Sequence, residues 1–421
     1  MPGFALFFMM LFVPTTYQPV KAVLLGLVLI MICATAVFRK KISLHPIVLL
    51  WTLFTVSVGL FFMLRGLIHG APGALRVGTV YVLWPLVYTI LVAGVSNEVL
   101  LKGIIRILVF STIAIGIYSL SYILYASGLL PDYLYISIDQ GQAIGFYSGY
   151  IEYNLYNISS LLFLVPFLIA ALLTWPKHLE MPVSRLWLWV AFALGMTLVL
   201  LSGRRALLLV VALAPVIALF FRLFLPRKTK LANRKLAIRF FIAACFALLG
   251  LIFYLHWVYG LNMQLLIHMF LDGFDFQRSD SAIARNMQFF ALLEGWSQYP
   301  LLGAGHGAGV AYTRSVEQPW AYELSYVALL YQTGMIGFIL YASGVLWILW
   351  TGLQMIRSGH VLGLQILPVL VGTGSFLIGN ATNPYLSKYD YIWVIFLPVA
   401  FINLWLLHRK RKNRSTDWQN N

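Results

Sequence analysis

Apolar stretches of about twenty residues recur along this chain with short polar breaks between them, and that repetition leaves few folds open. As a helix, about 20 residues cover the ~30 Å hydrocarbon layer of a bilayer. Twelve apolar segments can be marked, at 2–14, 19–38, 44–64, 73–95, 99–126, 156–175, 184–202, 205–225, 237–258, 322–351, 361–381 and 389–407. Most reach the required length, and the first falls short of it. With 61% hydrophobic residues and a mean hydropathy of +0.86, the 421 residues carry more apolar surface than one water-soluble core can hide. The expectation is an all-α protein, a polytopic bundle of about 12 transmembrane helices. Three units follow: 1–258 with nine helices, 259–321 as a small helical cap on the outer side, and 322–421 with three helices and a basic tail.

Charge sets the orientation. The net charge of +16 does not point to nucleic acid, because the basic residues sit in short loops between apolar runs. Twenty of the 29 Lys and Arg residues fall in alternate loops, among them Arg39, Lys102, Arg106, Arg185, Arg222, Arg357 and Arg409. The positive-inside rule makes those loops cytoplasmic, with both termini inside and an even number of spans. Ten of the 13 acidic residues lie on the opposite side, including Asp132, Asp139, Glu317, Glu323 and Asp390. Acidic residues contribute little to topology, so their bias marks the outer face as the place for chemistry. Cys33 and Cys245 stand alone inside apolar runs and read as small core residues, with no disulfide or metal implied. The opening MPGFALFFMMLFVP lacks a basic flank and a small-residue cleavage site, and reads as a first span.

The outer segments hold the candidate residues. Ser127 to Asn157 contains no Lys or Arg but several tyrosines, Tyr150 among them. These suit either the membrane interface or the apolar face and polar rim of a sugar. Arg204 and Arg205 follow a turn at Ser202 and Gly203, at the start of a span whose N-terminal amides favour anions. The alternative for both is snorkelling to lipid phosphates. Arg278 and Arg285 are seven residues apart and share a side if the intervening residues are helical; Arg278 could also pair with Asp275 or Asp280. In GAGHGAG the alternating Gly303, Gly305, Gly307 and Gly309 permit close backbone approach to a ligand, or a simple flexible turn, with His306 as bystander or contact. Glu323 opens the apolar run ELSYVALLYQTGMIG at the outer face, next to Tyr322 and three residues before Tyr326; Gly334 and Gly337 suit close helix packing. A carboxylate there can take a proton from a sugar hydroxyl.

Three pieces in order, SGRRALLL, SAIARNMQFFALLEGWSQYPLLGAGHG and ELSYVALLYQTGMIG, resemble the superfamily of O-antigen ligases and Wzy-type O-antigen polymerases, polytopic glycosyltransferases of the GT-C-like kind. The resemblance implies a bacterial inner-membrane enzyme of polysaccharide synthesis acting on undecaprenyl-pyrophosphate-linked glycans as donor and acceptor. It implies that Arg204 and Arg285, with Arg205 and Arg278 nearby, hold the diphosphate. Tyr322, Tyr326, His306 and Tyr150 are candidate substrate contacts. Ligases of this superfamily carry a catalytic histidine eleven residues before the glycine that is Gly334 here. Glu323 occupies that position, so the similarity favours a polymerase with Glu323 as base. The implied transfer inverts the anomeric centre and needs no metal or other cofactor; besides membrane lipids, a chain-length regulator is the further partner it suggests. The rival class is a lipid-linked glycan flippase or transporter, for which related halves are the usual sign; none is evident in the chain.

Overall fold

The computed structural model describes residues 1–39, 43–147, 150–176, 181–226, 280–313 and 317–419. Within them the chain forms α1 (Pro2–Phe12), α2 (Gln18–Arg39), α3 (Pro46–Ile68), α4 (Ala74–Tyr81), α5 (Leu83–Gly94), α6 (Glu98–Ala126), α7 (Ile158–Thr174), α8 (Arg185–Leu201), α9 (Arg205–Arg222), α10 (Asp280–Gln298), α11 (Ser325–Arg357), α12 (Val361–Asn380) and α13 (Trp393–Gln419). Among the described residues, eight spans are long and apolar enough to cross a membrane: α2, α3, α4 with α5 taken together, α6, α9, α11, α12 and the first part of α13. The protein is therefore a multi-pass membrane protein.

Helices α1, α7 and α8 are apolar but shorter, at 11, 17 and 17 residues. At about 1.5 Å per residue α1 reaches only about half-way through a bilayer. The expected span at 237–258 lies outside the described residues, as does the start of the 259–321 unit. One departure from an all-helical chain occurs among the described residues. In the tyrosine-rich segment, β1 (Ala143–Tyr147) pairs antiparallel with β2 (Tyr150–Asn154) as a hairpin. Outside the hydrocarbon, water satisfies the free edges of a two-stranded ribbon, so closure into a barrel is not required there.

Capping fixes the helix starts at the basic end of the bundle. His45 accepts from the Ile47 amide ahead of Pro46, Asn97 accepts from Leu100, and His360 accepts from Leu362. Helix α7 is the centre: all of its residues are buried, and it packs against α6, α8, α9 and α12. Helices from the two ends of the chain share this core, since α11 packs on α3 and α13 on α5.

Cys33 departs from its expected place: it is exposed on α2, where hydrocarbon takes the part a core plays in water. Cys245 lies outside the described residues. At the acidic end, Lys21 of α2 reaches Asp390 at 2.7 Å with both side chains nearly inaccessible, at 1% and 2%. Gln18 donates to the other carboxylate oxygen at 3.1 Å. This buried pair ties the start of α2 to the segment preceding α13.

Candidate functional site

The site at the acidic end is built on a break in α11. Gly334 adopts φ 63° and ψ −174° within the helix, interrupting its hydrogen-bond ladder. The loop after α10 fills the break. Ala304 and Gly305 amides donate to the Tyr331 and Gln332 carbonyls at 3.0 and 2.8 Å, while Met335 and Ile336 amides donate to Pro300 and Leu301 at 2.9 and 3.1 Å. Backbone groups freed near hydrocarbon are costly unless re-paired, and this splice re-pairs four of them.

On its other side the loop locks onto α3. Arg65 Nε donates to the Gly303 carbonyl at 2.7 Å, the His69 ring meets the Ala304 carbonyl at 2.9 Å, and the His306 amide donates to Phe62 at 2.9 Å. A Cβ on Gly305 would collide with the Gly66 backbone, and one on Gly307 with Gly73 and Ala74. Gly305 and Gly307 therefore allow close approach to the protein's own backbone.

So anchored, the loop sets α10 beside α11, close enough that a Cβ on Gly295 would press the Tyr331 ring and Val310. On α10, Arg285 reaches Glu323 through Nε at 2.8 Å; Arg285 is 37% and Glu323 18% exposed. The two terminal guanidinium nitrogens of Arg285 have no partner among the described residues. One turn along α10, buried Gln288 accepts from the Glu323 amide at 3.1 Å and fixes the backbone under the carboxylate. Glu323 stands just ahead of α11, which begins at Ser325, and is not its first helical residue.

Arg204 and Arg205 stand as the sequence suggests. Gly203 has φ 62°, Arg204 is the N-cap of α9, and Arg205 is its exposed first residue. Arg204 donates to the Tyr385 hydroxyl at 3.3 Å and to the Asn154 side chain at the end of β2. Both partners are neutral, so its charge is held in place and uncompensated by any described carboxylate.

The end of α12 links the two arginine positions. Tyr326, three residues after Glu323, donates to Leu377 at 2.6 Å. Asn380 accepts from the Leu386 amide at 2.9 Å, next to the tyrosine that receives Arg204. Direct pairing joins Arg285 and Glu323, while Arg204 is connected to them only through this series of contacts at the end of α12.

Two of the other candidates point inward. His306 is fully buried; its ring stacks on Tyr81 at 4.4 Å, Nε2 lies 2.8 Å from the Tyr341 hydroxyl, and Nδ1 lies 3.5 Å from Gln332. Burial pushes its pKa down to about 4, against the Gln332 hydrogen bond, and the ring is neutral with no face open to a substrate. Tyr322 is 2% exposed and accepts from the Val310 amide at 2.6 Å, and burial raises its pKa. Arg278 lies outside the described residues, as does the side chain of Tyr150, which begins β2.

Sequence reasoning missed Arg65, Gln288, Asn154 and Tyr385. Arg65 alone carried a local signal, a charge inside the apolar run FFMLRGLI. Among the described residues, one group of ligand-type side chains suited to a metal converges, Glu98, His360 and His408, at the basic end and away from this site. A cavity of about 600 Å³ between α1, α2, α5 and α13 is also remote from the arginines, and its lining is mostly apolar. No model of a known protein family matches this sequence, and no curated protein matches it.

Proposed function

We propose that this protein polymerises undecaprenyl-pyrophosphate-linked oligosaccharide repeat units, as in O-antigen or exopolysaccharide synthesis, by inverting glycosyl transfer on the periplasmic face of a bacterial inner membrane. The observation that carries this reading is the Arg285–Glu323 pair, in which Glu323 holds Nε and leaves the terminal nitrogens for an anion. Arg204, at a helix N-terminus and with only neutral partners, is the second cation of this reading. Arg205 and Arg278 add charge on the same side in this reading, and α10 forms part of the cap. The twelve apolar segments of the sequence, with both termini placed in the cytoplasm by the loop charges, belong to this reading.

Arrival of a diphosphate draws Arg285 toward the anion, and the Glu323 carboxylate accepts the proton of the acceptor hydroxyl. The hydroxyl oxygen attacks the anomeric carbon as the bond to the diphosphate breaks, and the lipid diphosphate leaves with the bonding electrons. Arg204 and Arg285 stabilise that charge as it develops. Glu323 at the place of the ligases' histidine supports polymerase over ligase.

Purified protein given undecaprenyl-pyrophosphate oligosaccharide as sole substrate should build a ladder of polymers. Glu323→Gln should abolish it without unfolding the chain, and Arg204→Ala or Arg285→Ala should each reduce turnover about 100-fold, in the range of a lost transition-state contact. Arg285→Lys should not restore full activity if the contact is bidentate. A full-strength ladder from Glu323→Gln would remove that residue as the base.

A further inference from the structure

At the basic end of the bundle, three side chains of metal-ligand type arrive from three helices distant in the sequence. Glu98 stands in the first turn of α6, His360 is the N-cap of α12, and His408 lies on α13 just before its run of Arg and Lys. One ligand atom from each lies within 4.8 Å of the other two, and all three residues are half-buried. The His360 and His408 rings are 6.1 Å apart at 59°. His408 Nδ1 is 3.8 Å from Glu98 Oε1, near enough to attract but beyond hydrogen-bond reach. A hydrogen-bonded Glu–His pair would close that gap; here it is open and the second imidazole borders it.

We propose that Glu98, His360 and His408 bind one divalent transition-metal ion of the zinc type, with water completing the coordination. Two imidazoles and one carboxylate suit zinc, cobalt or nickel, whereas magnesium and calcium take oxygen donors. Zinc holds such atoms at about 2.0–2.2 Å, which places tetrahedral neighbours about 3.3–3.5 Å apart. The ligand atoms must therefore draw in by about an ångström, within the reach of side chains that are only half-buried. Arg409, which follows His408, lies over the Trp405 ring at 5.8 Å.

Binding has a structural consequence. His360 Nδ1 accepts from the Leu362 amide at 3.2 Å, so its neutral ring carries the proton on Nε2. Coordination through Nε2 moves that proton to Nδ1, which can then no longer accept. The ion thus exchanges a helix cap for a bond that ties the inner ends of α6, α12 and α13 together. None of this depends on the reaction proposed for the opposite end.

The test uses the full chain in detergent, without a polyhistidine tag, stripped with chelator and then titrated with zinc ion alone. Cobalt ion serves as a spectroscopic probe. One equivalent should bind, millimolar magnesium should not displace it, and the ion should raise the thermal unfolding midpoint. His408→Gln and Glu98→Gln should each weaken binding at least ten-fold. His360→Asn preserves a good helix cap while removing the imidazole and should do the same. The double variant His360→Asn with His408→Gln should bind no ion at this site while unfolding at the midpoint of the metal-free parent. Absence of stoichiometric binding in the parent overturns the proposal, and so does a double variant that binds as the parent does.

Discussion

His306 shows how far a residue's neighbours outweigh its type. A histidine within a glycine run at a membrane face reads as either bystander or substrate contact, and Tyr81, Tyr341, Phe62 and Gln332 enclose it completely. Its folded pKa of about 4 lies below the ordinary 6.5, so the unfolded chain binds the proton more readily. Its contribution to stability is present in full above pH 6.5 and is lost as pH falls toward 4. Across that window the loss approaches about 3 kcal/mol. Thermal unfolding in detergent between pH 7 and 4 should show this decline, and His306→Gln should flatten it. Glu323 is the opposite case: a carboxylate heading an apolar run is legible as a site candidate from sequence. Its pairing with Arg285 depends on where α10 sits, and no local pattern shows that.

Helix α11 shows the same limit at the level of an element. Hydropathy runs on through Gly334, so the sequence reads as one uninterrupted span over 322–351, with the glycine as a packing residue. The break exists because four backbone bonds to the loop from Pro300 to Gly305 replace those the helix gives up. At φ 63° and ψ −174° a side chain is strained, and a Cβ there would also meet the Leu301 and Gly303 backbone. Gly334→Ala should therefore cost about 1–3 kcal/mol from strain alone, read as a lowered thermal midpoint. It should also disturb the glycan transfer proposed above, because the same splice holds α10. Gly337→Ala escapes the backbone strain, but its Cβ would press the buried Phe62 ring and the Thr333 Cβ, so it should be destabilising as well.

For the whole molecule, Lys21 and Asp390 join segments from opposite ends of the chain inside an apolar surround. Removing one partner strands a buried charge, so Asp390→Ala should lower stability by roughly 3–5 kcal/mol. Lys21→Met combined with Asp390→Leu should recover most of that loss, and thermal unfolding of the single and double variants separates the two effects. The membrane class, the run of apolar spans and the charge bias between their ends were all readable from residues 1–421, because each is a sum over residues that needs no knowledge of neighbours. Which helix faces which was not readable. The Arg285–Glu323 contact, the splice into α11, the enclosure of His306 and the Lys21–Asp390 pair all hang on directed bonds a few ångströms long. Such bonds form only once distant segments have packed, so tertiary structure alone decided them.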